Sequence, residues 1–321
     1  MIKIQQFKWE DFSSSLYILN KYLYVFFFIM AFSALDEEKR KNLLIQIKDV
    51  VILIGIVNGF FMFFGLFSQW EILKAYPFSN RFGYNGFFVK TSEASYLYIL
   101  LIIATYFDYL VKRTNGILCL YFIFIAFLLG TKAIWIFVGL VILLHFLYNE
   151  SKVVKKGFII GLTSAVIVTL FFWTKFIELI INVFPYGSKM YQEHGIITIL
   201  LSTRDILLIN AIDFFKINGT WLMYLFGGNN LRDIGVEFEF IDIFLFFGLL
   251  GLIVYALLIK RSFFHPLSKN TYNQHKLLLF LSLMLVAFFA GNFFMSIISS
   301  IFAFVIFRLI DFFNEETQIK K

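Results

Sequence analysis

The sequence predicts an all-α, polytopic membrane protein with about nine transmembrane helices and a large extracytoplasmic loop carrying short helices. Three observations predict it. The chain of 321 residues is 60% hydrophobic and 15% charged, where a soluble domain is roughly 45–50% apolar and about 25% charged. Its mean hydropathy is +0.82, more apolar surface than a soluble fold can hide. Stretches approaching the roughly 20 apolar residues that a spanning helix needs recur along the chain. The charges fall between those stretches, and they alternate in density.

The expected spans lie at 16–35, 50–68, 94–111, 116–130, 133–149, 157–175, 240–259, 277–291 and 293–310. The fourth and eighth are short. Pro77, Pro185 and Pro266 all fall outside them, so proline kinks no span. With no internal repeat and no low-complexity linker, residues 1–321 read as a single membrane domain. Two long connections leave it, 69–93 and 176–239. The second keeps apolar runs. Within it, Ser202-Thr203-Arg204-Asp205 fits a capping box, a hydroxyl followed three residues on by an acid. That pattern predicts a short helix from Ser202 to about Asn218-Gly219. Leu225-Phe-Gly-Gly-Asn-Asn230 then reads as a turn, because Gly and Asn tolerate positive φ.

Net charge is +7. The connections 36–49, 112–115, 150–156, 260–276 and the tail 311–321 together hold 15 cations, while the opposite side, the two long loops and two tight turns with their flanks, holds nine. Lys and Arg collect in cytoplasmic loops. The first set is therefore expected inside, with the C-terminus, and both long loops outside. Most of the charge thus reads as topology rather than as a sign of nucleic acid. The single cysteine, Cys119, excludes an internal disulfide and zinc-knuckle chemistry. The N-terminal MIKIQQFKWEDFSSS is too polar for a signal peptide. No HExxH, phosphate loop or acidic metal cluster occurs, so neither a metal nor a nucleotide cofactor is expected.

The candidate functional residues are the outer cations and acids. Arg204 is expected at the second position of its helix. There, free N–H groups and the helix dipole favour an anion, and a guanidinium grips phosphate bidentately. The simpler alternative is an arginine that snorkels to headgroups. Arg81 stands in Asn80-Arg-Phe-Gly-Tyr-Asn-Gly-Phe-Phe88, where glycines allow tight turns and aromatics suit a sugar. Its alternative is a cation in an aromatic belt. Arg81, Arg204 and Arg232 are three of only seven arginines in a chain with 21 lysines. Lys90 and Glu93 lead into the third span. Lys132 lies in a tight outer turn, where reaching the interface is the simpler reading. Glu237, Glu239 and Asp242 open the seventh span, and a carboxylate there suits a general base. The spans carry neither a clear midplane ionisable site nor a broken-helix site, which counts against an ion-coupled transporter.

In this order, several of these pieces resemble a known family. They are Arg81-Phe-Gly-Tyr-Asn-Gly-Phe-Phe with Thr91-Ser-Glu-Ala-Ser95, then Leu129-Gly-Thr-Lys-Ala133, then Ser202-Thr-Arg-Asp205. Leu225-Phe-Gly-Gly-Asn229 and Val236-Glu-Phe-Glu-Phe-Ile-Asp242 follow, the last running into a span with Gly248 and Gly251. Together they cover most of 75–260 and resemble the O-antigen polymerase and O-antigen ligase family, the Wzy-like membrane glycosyltransferases.

The resemblance implies a metal-independent enzyme of the bacterial cytoplasmic membrane, with its active site outside. Its substrate would be an undecaprenyl-diphosphate-linked glycan, polymerised into O-antigen, capsule or exopolysaccharide. The bilayer would be its setting, and a chain-length regulator and a flippase would be its protein partners. The family's essential arginines correspond to Arg81 and Arg204. Glu237 and Asp242 are the candidate bases, and Lys90, Glu93, Lys132 and Arg232 the substrate-binding residues. Ligases of the family place a histidine after the Gly-rich turn. Here Asn229-Asn-Leu-Arg-Asp-Ile-Gly-Val-Glu237 has none, which favours polymerase. The alternatives are a ligase that transfers glycan to lipid A-core, and a transporter or flippase of lipid-linked glycans.

Overall fold

The computed structural model describes residues 9–78, 81–112, 114–171, 175, 191, 193, 195–199, 201–263 and 271–319. Pro185 and Pro266, the cations Arg113, Lys269, Lys320 and Lys321, the end of the expected span 157–175 and the start of loop 176–239 lie outside them. Among the described residues the fold is helical, with one isolated antiparallel bridge between Lys74 and Tyr84. The helices are α1 Trp9–Ser33, α2 Glu37–Ser68, α3 Thr91–Lys112, α4 Gly116–Phe127, α5 Lys132–Asn149 and α6 Lys152–Phe171. After them come α7 Arg204–Asn218, α8 Trp221–Phe226, α9 Leu231–Ile234, α10 Glu239–Phe263, α11 Thr271–Ala290 and α12 Ile297–Ile319.

Five helices are long and apolar enough to cross a membrane: Phe12–Ser33 of α1, α2, Thr91–Val111 of α3, α5 and α10. Of the other expected spans, 116–130 and 277–291 fall on shorter apolar helices, Gly116–Phe127 and Gln274–Ala290. The span 293–310 falls on α12. The charged connections are not all loops. Residues 37–49 continue α2 without a break, and 311–319 continue α12. Charged side chains that reach solvent do not interrupt backbone hydrogen bonding, so a drop in hydropathy does not end a helix. At 32 residues α2 is about 48 Å long, well beyond a hydrocarbon core of about 30 Å.

Helix α3 is the centre of the bundle. Of its span, 83% is buried, against 22–28% for each of the other four. It packs on α2, α4, α5, α11 and α12. Polar bonds lock the end of the bundle remote from loop 69–93. Lys48 pairs with Asp108 at 3.1 Å, and the Asn115 amide donates to the same carboxylate at 3.0 Å. Lys276, fully buried, pairs with Asp311 at 2.5 Å, and Arg308 lies 3.5 Å from the other oxygen of that acid.

Helix α10 is interrupted. Gly248 has φ 70° and ψ −175° inside it, so a broken helix is present where the sequence reading finds none. Two carbonyls at the break are occupied. The Asn229 side-chain amide donates to Leu245 O at 2.8 Å, and the Gly228 N–H donates to Phe246 O at 2.9 Å. The break exists because two glycines meet. A Cβ on Gly248 would stand 2.4 Å from Gly227 N, and one on Gly227 2.3 Å from Phe246 O. The expected turn 225–230 is therefore the wedge that opens α10.

Candidate functional site

Loop 69–93 is folded back on the α4–α5 turn. Ala75 N–H donates to Gly83 O, Asn85 N–H to Leu73 O and Tyr84 N–H to Leu128 O, at 2.8–2.9 Å. The contact needs glycine on both sides. Gly83 and Gly130 have φ of 151° and 65°. A Cβ on the first would stand 2.5 Å from Leu129 O, and on the second 2.2 Å from Phe82 O. Ser95 and Thr131 hydroxyls, 3.0 Å apart, fasten the same turn to α3. Two motifs some fifty positions apart in the sequence thereby become one backbone surface, with Arg81 and Lys132 on it. The deeper polar residue Asn58 is structural: its Oδ1 accepts from Phe87 N–H at 2.9 Å and its Nδ2 donates to Tyr98 Oη at 3.3 Å.

Arg204 arrives from a different direction. It is the first residue of α7, not the second, and the expected capping box does not form. Thr203 occupies the cap position with φ 71°, and its hydroxyl bonds to Ser202 O rather than to the helix. Asp205 instead accepts from the Thr198 hydroxyl at 2.5 Å. Ser202, at φ 55°, shares the left-handed strain, and such a turn persists only where the surroundings hold it. Lys132 holds it, donating from Nζ to Ile199 O and, at 3.0 Å, to Ser202 Oγ. Lys132 therefore reaches the loop before Arg204 rather than the membrane interface.

The Arg204 guanidinium ties three segments. Nε donates to Glu237 O at 2.9 Å, Nη2 donates to Ala290 O at 3.0 Å, and Nη2 lies 3.3 Å from the Glu237 carboxylate. Among the described residues Nη1 has no hydrogen bond. Arg81 stacks on Tyr76, its guanidinium carbon 3.9 Å from the ring centre. Burial raises the Tyr76 hydroxyl above the usual phenol value, while the charges of Arg81 and Arg204 both act to lower it. The same two charges act on the Lys132 ammonium. Arg81, Lys132 and Arg204 thus form one cationic cluster, and like charges held together favour an anion between them.

The acids divide into two kinds. Glu237 is half-exposed beside Arg204 and has φ 61°. Asp242 is buried, and its Oδ1 accepts from Val236 N–H at 2.7 Å. Glu239 is buried as well. It accepts the amides of Phe293 and Phe294 at 2.6 and 3.0 Å, which fixes the α11–α12 turn under Arg204. Tyr96 adds a bond from its hydroxyl to Gly291 O at 2.6 Å. Sequence reasoning missed Tyr76, Tyr96 and the 290–294 turn. Aromatics make up 21% of the chain, so no single Tyr stands out, and a turn that contributes only carbonyls and amides leaves no side-chain signature.

Lys90 pairs with Glu93 at 3.7 Å at the start of α3. Arg232 is exposed on α9, and its backbone N–H donates to Asn230 Oδ1 at 3.1 Å. Neither contacts Arg204 in the bonds described here. Among the described residues no three His, Cys, Asp or Glu side chains gather in a metal-binding group. No protein-family model, no curated protein and no solved structure matches this chain.

Proposed function

We propose that the chain is a membrane glycosyltransferase. It would polymerise undecaprenyl-diphosphate-linked oligosaccharide repeat units into a surface polysaccharide at the outer face of the cytoplasmic membrane. The observation that supports this reading best is the convergence of Arg81, Lys132 and Arg204 beside the half-exposed carboxylate of Glu237.

The chemistry needs those parts. An acceptor sugar hydroxyl attacks the anomeric carbon of the donor glycan. The new C–O bond forms as the bond from that carbon to the diphosphate oxygen breaks, and the electron pair leaves on the lipid diphosphate. Cations beside that oxygen stabilise the charge as it develops. The Nη1 edge of Arg204 and the stacked guanidinium of Arg81 are the groups for this. The hydroxyl proton passes to the Glu237 carboxylate. Asp242, buried and bonded to a backbone amide, is the weaker candidate base. The elongated glycan and the lipid diphosphate then leave, and no atom changes oxidation state.

The broken helix α10 favours a second reading, a transporter of lipid-linked glycans, since transporters build sites at helix breaks. Against it, Asn229 and Gly228 already occupy two of the carbonyls at the Gly248 break, those of Leu245 and Phe246. One experiment separates the readings. The purified protein is reconstituted in vesicles with lipid-linked repeat units, and the glycan is resolved by size. A ladder of polymer that disappears in Arg81→Ala and Arg204→Ala supports the polymerase. Substrate that crosses the bilayer with no new glycosidic bond supports the transporter and removes the polymerase reading.

A further inference from the structure

A charged cavity lies between the first turn of α2 and α12, at the end of the bundle remote from loop 69–93. It encloses about 140 Å³ and is lined by Glu37, Arg40, Arg308, Asp311 and Phe312. That is room for several water molecules, within a wall that is charged at four residues of five. The bonding of this wall is incomplete. Arg40 Nε is buried and has no hydrogen-bond partner, and the same is true of Asp311 Oδ2. Among the described residues Arg40 forms no ion pair, not even with Glu37 three positions earlier on the same helix. Arg308 lies over the Phe312 ring, 5.9 Å from its centroid, and 3.5 Å from Asp311 Oδ2. The other oxygen of Asp311 is taken by the buried Lys276 at 2.5 Å. Lys276 and Arg308 thus share Asp311, and Glu37 is exposed. Three cations meet two acids, and the charge of Arg40 is the one left over.

A buried guanidinium N–H without an acceptor is costly. Water in the cavity can bridge Arg40 and Asp311, but it brings no negative charge. A phosphate does, and guanidiniums bind it through paired N–H donors. The unpartnered carboxylate oxygen calls for a donor on the same ligand, which a hydroxyl supplies. We propose that this cavity binds the phosphodiester of a glycerol-bearing head group. Arg40 and Arg308 donate to the phosphate oxygens, and a head-group hydroxyl donates to Asp311 Oδ2. A phosphodiester carries one negative charge, which matches the single unbalanced cation. The site shares no residue with the cluster around Arg204 and Glu237, so it stands independently of the polymerase reading.

The full chain is purified in detergent, stripped of lipid and titrated separately with three probes. They are phosphatidylglycerol, glycerophosphoglycerol (the same head group without acyl chains) and phosphatidylethanolamine, a zwitterion. Native mass spectrometry counts the bound molecules. Phosphatidylglycerol or its free head group is expected to bind one to one. Arg40→Gln weakens that binding about fivefold, the worth of one cation near a lipid phosphate. Lys39→Gln, which removes an exposed neighbouring charge paired with Asp36, leaves it unchanged. Phosphatidylethanolamine binds at least about fivefold more weakly than phosphatidylglycerol, for want of the net charge. A free head group that binds as tightly as the lipid assigns the site to a soluble phosphodiester, tighter binding of the lipid assigns it to the bilayer, and both support the site. Absence of binding, equal affinity in parent and Arg40→Gln, an equal loss in Lys39→Gln, or phosphatidylethanolamine held as tightly as phosphatidylglycerol each overturns the proposal. Arg40 has no side-chain partner to lose, so Arg40→Gln should melt with the parent when no ligand is present. If that variant does not accumulate, Arg40→Lys keeps the charge without the fork and should bind more weakly, and parental affinity in that protein overturns the proposal equally.

Discussion

Arg204 grips Glu237 twice, through the backbone carbonyl at 2.9 Å and the carboxylate at 3.3 Å. The two contacts have different consequences. The carbonyl bond holds a left-handed turn in place, while the carboxylate contact sets an acid beside a cation at a partly open position. Removing one of these contacts without the other separates architecture from chemistry.

Glu237→Gln keeps the backbone carbonyl and loses only the basic oxygen. Polymer formation is expected to fall by about 10²- to 10⁴-fold, the usual worth of a general base, with the melting temperature within a few degrees of the parent. Size-resolved glycan and a thermal melt on the same preparation check this. Parental polymer output would remove Glu237 from the mechanism.

Arg204→Lys keeps the charge but not the fork. A single ammonium cannot donate along the directions to both Glu237 O and Ala290 O, so one partly exposed carbonyl loses its donor. A cost of about 0.5–1.5 kcal/mol follows, together with loss of polymer. Arg81→Ala is expected to abolish polymer with a smaller loss of stability, about 0.5–2 kcal/mol for a stacked cation. Denaturation midpoints and product ladders distinguish the two variants.

Gly83→Ala and Gly130→Ala each put a methyl group against a backbone oxygen, at 2.5 and 2.2 Å. Neither oxygen can move without opening the loop 69–93 contact. Each variant should therefore lose the Arg81–Lys132 neighbourhood and be cleaved by protease within 75–90 faster than the parent. Unaltered proteolysis of both variants would show that the backbone contact is absent in the protein.

Asp311→Asn leaves the fully buried Lys276 facing a neutral group, with Arg308 also deprived of its partner. Breaking a buried pair from one side costs about 3–5 kcal/mol. The double change Lys276→Met with Asp311→Leu removes both charges and should recover most of that loss. The check is a four-way comparison of parent, two single variants and the double variant by thermal melting in one detergent.

The helical class and the apolar helices were legible in the sequence because lipid exposure imposes a strong compositional signal. Five of the helices meet the length and apolarity needed to cross a membrane. Helix ends were less legible. Backbone hydrogen bonding carries α2 through Glu37, Lys39 and Arg40, where hydropathy alone suggests a loop. The end of α7 at Asn218 was readable from Gly219, and its start was not, because the Lys132 contacts at Ile199 and Ser202 override the local capping pattern. In the candidate site, Arg81 and Arg204 were readable as scarce guanidiniums among many lysines. That Lys132 joins them depends on the glycine contact between Gly83 and Gly130, which spacing in the chain does not reveal.

The burial of α3 has a consequence for biogenesis. Helix α2 is made before it, but α4, α5, α11 and α12, which complete its coat, are made after it. While the ribosome is still adding them, α3 stands against lipid, and its apolar surface tolerates that delay. The bundle closes around it only when α11 and α12 arrive, bringing the 290–294 turn that receives Arg204 and Tyr96. Insertion can therefore proceed helix by helix, but the Arg204 guanidinium finds its Ala290 acceptor only as the last helices enter.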